Sequence, residues 1–299
     1  FKDMWRNEGY EINGKMVNGS IFIPGAELDI TNASGNAVIS NGSLKGTNLK
    51  GRTGNSNGYD GTLTVGIEGK EGPLNLEIMV EADVTDVPPL LERFIDDPVF
   101  IAELRKFKNL EGRANGKLFV GDDKVNPMPK IKVTRFEIST DYERLPWKLG
   151  VSGGSFDYVD KRIDIADVKM SAGKISIQSA SGSFTWSGDH ELDIATGLTH
   201  IDLSEFYPWL SSLGESMKEH LGILDSVSGT AAISGINFSG PIMKPADWKI
   251  GSSGKLSQLE ARLPGVDTEI TVPLTRYEAS TNEIKIPDTI FLSGANIPD

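Results

Sequence analysis

Ile163-Asp164-Ile165-Ala166-Asp167-Val168-Lys169-Met170-Ser171-Ala172-Gly173-Lys174-Ile175-Ser176-Ile177 alternates apolar and polar residues at both ends, with a glycine between. A period of two gives a strand one apolar and one polar face, and the glycine supplies the backbone freedom to turn. The same grammar recurs in Thr62-Leu63-Thr64-Val65-Gly66-Ile67, in Leu74-Asn75-Leu76-Glu77-Ile78, in Leu192-Asp193-Ile194 and in Ile270-Thr271-Val272. Between such runs stand Asn41-Gly42, Asn57-Gly58, Asp60-Gly61, Gly153-Gly154 and Gly188-Asp189, pairs that tolerate the positive φ of tight hairpins. The sequence therefore predicts a meander of short antiparallel strands, with its 33 glycines at turns and bulges.

The block also repeats. Asp86-Val87, Gly112, Arg144-Leu145-Pro146, Ile163-Asp164-Ile165 and Gly173 return in order as Asp202-Leu203, Gly229, Arg262-Leu263-Pro264, Ile284-Lys285-Ile286 and Gly294. The offset drifts from about 116 to about 121, as duplication followed by loop growth would produce. A fainter echo joins Leu28-Asp29-Ile30 and Gly35 to Ile39 with the opening block. The expected organisation is an array: residues 1–107 as a partial first β module, 108–224 as a second, and 225–299 as a truncated third.

Two segments break the alternation. From Val87 to Phe107, Pro88-Pro89 and then Asp97-Pro98 open two successive helices, with Phe100, Leu104 and Phe107 inward. From Leu203 to Leu224, Asp202 reads as N-cap and Glu205 follows three positions on. Phe206, Trp209, Leu210, Leu213, Met217 and Leu221 form one apolar stripe there. These segments, 87–107 and 203–224, close their modules. Helices so short cover only a few hairpins, so the rest of the apolar face either folds over on itself or stays open as a groove.

Composition excludes much. The 299 residues carry 30 basic and 42 acidic side chains, and a net charge of -12 repels a phosphate backbone, so no nucleic-acid partner is expected. With no cysteine there are no disulfides, thiolate metal sites or thiol nucleophiles. His190, His200 and His220 have no partner at ligand spacing, and no G-x-S-x-G is present. Asp96-Asp97 and Gly121-Asp122-Asp123 read as a helix cap and a hairpin turn before they read as cation ligands. Gly251-Ser252-Ser253-Gly254-Lys255 lacks the spacing of a phosphate loop. Trp147, Trp186, Trp209 and Trp248 read first as packing residues. No enzyme activity, metal or cofactor is expected. No run approaches the roughly 20 apolar residues of a membrane helix. The start at Phe1 and the end straight after a strand-like run are those expected of a piece of a longer protein, any anchor lying outside it.

Leu110 to Leu118, Gly153 to Tyr158, Ile163 to Ile177, Asp202 to Leu210 and Gly240 to Lys249 together resemble the repeated β-rich region of the AsmA-like family of bacterial envelope proteins. The resemblance covers nearly the whole chain and rests on glycine-and-aliphatic spacings. It implies a mainly β fold: an elongated, curved antiparallel sheet of repeated modules, a groove or open barrel-like trough, with two short helical segments. It further implies a periplasmic location, tethered to the inner membrane by an anchor outside these residues, and a non-enzymatic role in conducting phospholipid between the two membranes. On this likeness the trough floor falls to Ile131, Val133, Ile163, Ile165, Ile175, Ile177, Leu192 and Ile194. Two other readings stay open: a scaffold that helps assemble outer-membrane proteins by strand addition at open sheet edges, and an adhesive, carbohydrate-binding array.

Overall fold

The computed structural model describes residues 11–23, 28–67, 72–95, 97–121, 128–186, 188, 190–212, 224–242, 244, 247–263, 269–281 and 283–287. The chain is mainly β and antiparallel. It divides into two compact units, Phe1–Thr140 with Ser152–Asp164, and Asp141–Val151 with Ile165–Asp299.

The first unit begins with β1 (Glu11–Ile23), β2 (Leu28–Ser40), β3 (Ser43–Thr53), β4 (Ser56–Gly66) and β5 (Leu74–Asp83). A 3₁₀ turn (Val84–Asp86) leads into α1 (Val87–Phe94) and α2 (Pro98–Leu104), followed by β6 (Phe107–Gly121) and β7 (Met128–Tyr142). β1 to β6 form a simple meander, each strand antiparallel to the next. Asp97 caps α2 as expected, accepting from the Phe100 N–H at 2.8 Å, and proline follows it in the first turn. Phe107, expected on a helix, opens β6 instead, because α2 ends at Leu104 and the chain turns there into extended backbone.

Next come β8 (Lys148–Ser152), β9 (Ser155–Val159), β10 (Arg162–Ala172), β11 (Ile175–Thr185), β12 (Glu191–Thr196) and β13 (Thr199–Asp202). They are followed by α3 (Leu203–Ser212), β14 (Ser226–Pro241), β15 (Lys249–Arg262), β16 (Glu269–Ser280) and β17 (Glu283–Lys285). β9 belongs with the first unit, where it pairs antiparallel with β7. In the second unit β12 and β13 both pair with β11 and with β14, and β14 to β17 continue as a meander. α3 covers Leu203 to Ser212, while Leu213, Met217, Leu221 and His220 of the expected longer helix lie outside the described residues. Pro264 and Gly294 of the repeat lie outside them too, as do Asp96, Asp122 and Asp123.

One pair of positions matched in the sequence shares its backbone geometry. Gly112 on β6 and Gly229 on β14 both adopt positive φ, 131° and 115°, and a Cβ on either would strike the carbonyl oxygen of Glu137 or Gln258. Only glycine fits such an approach. β3 matches β10, with Asn48 and Asp167 at φ 52° and 55°, and with Gly54 and Gly173 at 55° and 56° in the turns that follow.

Asn41-Gly42 makes the expected turn, with both residues at positive φ and Ser40 paired to Ser43. Asn57-Gly58 does not. It lies inside β4, and Gly58 is there because Ile78 Cδ1 of β5 comes within 2.7 Å of where a Cβ would be.

Candidate functional site

Directly opposed residues of an antiparallel pair share a face, so the register shows which side chains form rows across strands. In the first unit Ile12, Ile39, Leu44, Val65 and Leu74 stand opposite one another from β1 to β5. The neighbouring row runs Gly14, Ala37, Gly46, Leu63, Leu76 and Val120 from β1 to β6. The intervening row on the opposite face is Asn13, Val38, Lys45, Thr64 and Asn75. That opposite face carries ion pairs, Lys117 with Glu77 at 2.6 Å and Arg113 with Glu81 at 2.7 Å. One side of the sheet is thus greasy and the other charged. Ile39, Leu44, Leu63, Val65, Leu74 and Leu76 are only half-buried, and Ile12 is 45 % exposed. A second packed layer would have taken such residues out of water.

The sheet covers part of this face with its own side chains. Leu49, aimed by the Asn48 bulge, lies over glycines: its Cδ2 is 2.7 Å from a Cβ position on Gly35 and 3.1 Å from one on Gly46. Ile78 does the same over Gly58 and Gly61, and Ile30 over Gly51. Glycines here are sockets for aliphatic side chains of adjoining strands. Val84, at 2 % exposed, and Ile95, at 4 %, are buried at the two ends of the 3₁₀ turn and α1.

The second unit has rows of the same kind. Gly182, Ile194, Phe238 and Ile250 oppose one another across β11, β12, β14 and β15, as do Phe184, Leu192 and Gly240. Ile177, Thr199, Ile233, Gly254 and Tyr277 form another row, whereas Ser176, His200, Ala232, Lys255 and Arg276 occupy the polar side. α3 covers one patch. Ile201, Ala231 and Ile233 are buried there, with Ile175, Leu203, Phe206, Ile236 and Leu256 packed around them. Beyond the patch coverage thins, and Ile250 at the end of its row is 42 % exposed.

The eight residues expected on a trough floor divide between the units. Ile131, Val133 and Ile163 belong to the first, where Ile131 opposes Tyr158 and Val133 opposes Phe156. Ile165, Ile175, Ile177, Leu192 and Ile194 belong to the second. All eight are half-buried. In β7, β11 and β12 they alternate with exposed Lys132, Ser176 and Asp193. Ile175 is the one that packs beneath α3. The row from Ile12 to Leu74 escaped sequence reasoning, although Leu63, Val65, Leu74 and Leu76 already stood in runs of period two. What was missing was the register that aligns one run with the next.

Trp147, Trp186, Trp209 and Trp248 each meet another aromatic ring. Trp147 lies 5.8 Å from Trp209, centroid to centroid, and Trp209 donates from Nε1 to the Arg144 carbonyl at 3.0 Å. Trp248 donates to the Pro241 carbonyl and meets Phe238 edge-on, and Trp186 is buried beside Phe184. Burial raises the Tyr158 hydroxyl above its ordinary pKa, with the Asp160 charge adding to the effect.

Among the described residues no three His, Asp or Glu side chains gather as metal ligands, and His200 sits exposed on β13. A small depression lined by Asn55, Asn57, Glu81, Ala82, Asp83 and Arg113 offers about 40 Å³, room for a water molecule or two. Gly251 to Lys255 lies within β15, extended rather than looped around an anion. No family model, characterised protein or solved structure matches the chain. Any assignment must therefore come from the faces of the sheet.

Proposed function

We infer that this chain is a non-enzymatic, periplasmic β array that shields acyl chains of phospholipid on the apolar face of its sheet, between inner and outer membranes. The observation that carries the reading is the aligned rows, Ile12 to Leu74 and Gly14 to Val120, half-covered on one side and charged on the other. A row of aliphatic side chains about 5 Å apart makes non-directional contacts, so a methylene chain can shift along it without breaking any particular bond. Each methylene removed from water contributes about 0.8 kcal/mol, and a half-covered floor leaves that contribution to the ligand. The resemblance to AsmA-like envelope proteins points the same way and supplies the expectation of an inner-membrane anchor outside these residues.

Native mass spectrometry of the protein expressed in a Gram-negative host tests this. Phospholipid is expected to co-purify, and to be lost when Leu63→Glu and Val65→Glu place charge on the greasy face of the still-folded sheet. A lipid-free mass, together with failure to take up a fluorescent fatty acid, would refute the reading.

The exposure of β1 favours a second reading. Ile12, Met16, Val17, Ile21 and Phe22, between 39 % and 66 % exposed, crowd this one strand with only Glu11 and Lys15 as charges. Such a strand suits addition of a partner strand, as in a scaffold for outer-membrane proteins. That reading predicts binding of unfolded barrel peptides, abolished by Val17→Pro.

A further inference from the structure

The sequence contains five Asn-Gly pairs: Asn13-Gly14, Asn18-Gly19, Asn41-Gly42, Asn57-Gly58 and Asn115-Gly116. In an unfolded chain all five are open to the same spontaneous reaction, because glycine leaves its own main-chain nitrogen unshielded. The fold separates them. Asn57 faces Arg52 on one side and Glu81 on the other, with Gly58 between Gly51 and Val80, so this pair is held by ladders on both flanks. Asn115 faces Glu81, and Gly116 presses against Lys132 and Val133 on its other side. Asn13 and Asn18 lie in exposed β1. Asn41-Gly42 alone forms a two-residue hairpin turn, with φ of 48° and 67°, an exposed asparagine, and Ser40 paired to Ser43.

We propose that Asn41 is a site of deamidation to isoaspartate, and that this modification breaks the β2–β3 hairpin. The Gly42 main-chain nitrogen gives up its proton to hydroxide and bonds to Asn41 Cγ. The Cγ–Nδ2 bond then breaks, Nδ2 leaves as ammonia, and a five-membered succinimide remains. Water opens the ring at either carbonyl. Opening at the side-chain carbonyl yields aspartate, and opening at the main-chain carbonyl yields isoaspartate, in which the chain runs through the former side-chain methylene.

Ring closure requires the peptide to rotate out of its folded conformation. At Asn57 and Asn115 that rotation needs flanking ladders to open first, whereas the turn at Asn41 is held by its base pair, Ser40 with Ser43, and by one bond at 2.8 Å from the Ile67 N–H to the Gly42 carbonyl, which leaves the Asn41–Gly42 peptide outside any ladder. An added methylene in a two-residue loop cannot keep the positive φ at both positions that closes the hairpin. The pair next to Ser40 and Ser43 is Ile39 and Leu44, members of the long apolar row. The modification therefore acts directly beside that row.

The test incubates the folded full chain and a urea-unfolded sample side by side in mildly alkaline buffer. Isoaspartate is then read by enzymatic methylation and peptide mapping. In the folded protein the peptide holding residue 41 should label at least about tenfold faster than those holding 57 and 115, while in urea the sites should react alike. Asn41→Gly keeps the turn, since two glycines also adopt it, and should remove that label without lowering thermal stability by more than the loss of one turn side chain. Equal rates at 41, 57 and 115 in the folded protein, or faster labelling at 57 or 115, would overturn the proposal.

Discussion

Asp86 and Asp202 each stand at a corner where a strand hands over to a helix, and they use their carboxylates differently. Asp86 makes no cap to α1. It reaches across to the β3–β4 turn, accepting from the Asn55 N–H at 2.8 Å and the Ser56 hydroxyl at 2.7 Å. Ser56 is buried and in turn accepts from the Asp83 N–H at 3.0 Å. Asp202 accepts from the Ser204 N–H at 3.0 Å and from its hydroxyl, and its other oxygen meets Lys174 Nζ at 3.2 Å. Lys174 also pairs with Glu205 at 3.1 Å. Asn55 and Lys174 each follow the left-handed glycine of the matching hairpin, Gly54 and Gly173. The joint is therefore the same, aspartate to hairpin turn. One copy makes it with neutral donors around a buried serine, and the other with an exposed ion cluster. The connection is common to both, and its chemistry differs.

The difference can be tested by disrupting each copy. The largest losses should come from what the copies share: Gly112→Ala and Gly229→Ala force a side chain into an opposing carbonyl at positive φ, at a cost of about 3 kcal/mol or more each. Urea unfolding of both variants checks the equivalence. A Gly229→Ala variant as stable as the parent would show that the second copy does not repeat the first.

Next in size is Asp86→Ala, which leaves the Asn55 N–H and the buried Ser56 hydroxyl without an acceptor and should cost about 2 kcal/mol. Because the donors are uncharged, that loss should persist in molar salt.

Asp202→Ala should cost less, and the gap between variant and parent should shrink as salt rises, since the cluster is exposed. The Ser204 hydroxyl, and after it Lys174, hold Asp202 below the usual carboxylate pKa of 3.8. Its contribution is thus complete above that value and fades as pH falls through the lowered one. Glu205 first, then Asp202, raises Lys174 above its usual 10.5, so its share is complete below 10.5 and disappears as pH climbs past the raised value. Melting curves of parent and Lys174→Met across that alkaline range should converge. Curves that stay parallel would remove the ion cluster from the account.

Local rules made much of this fold legible. Asp97-Pro98 announced a cap because a cap is settled within four residues, and Asn41-Gly42 announced a turn because the turn is settled within two. Asn57-Gly58 misled because its glycine answers to Ile78, a side chain twenty positions away. Asp86 was legible as a corner but not as a tether, since its partners lie thirty residues upstream. The apolar faces could be read strand by strand. Their alignment into rows needed a register that bulges at Asn18, Asn48 and Asp60 shift within strands. Leu49 over Gly35 and Gly46 shows the same limit, for nothing local marks those glycines as sockets.

Photocrosslinking with a phospholipid carrying a diazirine near the middle of one acyl chain tests the central claim most directly. Adducts mapped by peptide sequencing should fall on Ile12, Ile39, Leu44, Leu63 and Val65 and spare Lys45, Thr64 and Asn75 on the opposite face. Adducts spread evenly over both faces, or none above the level of an unfolded control, would contradict the assignment of the greasy side as a lipid surface.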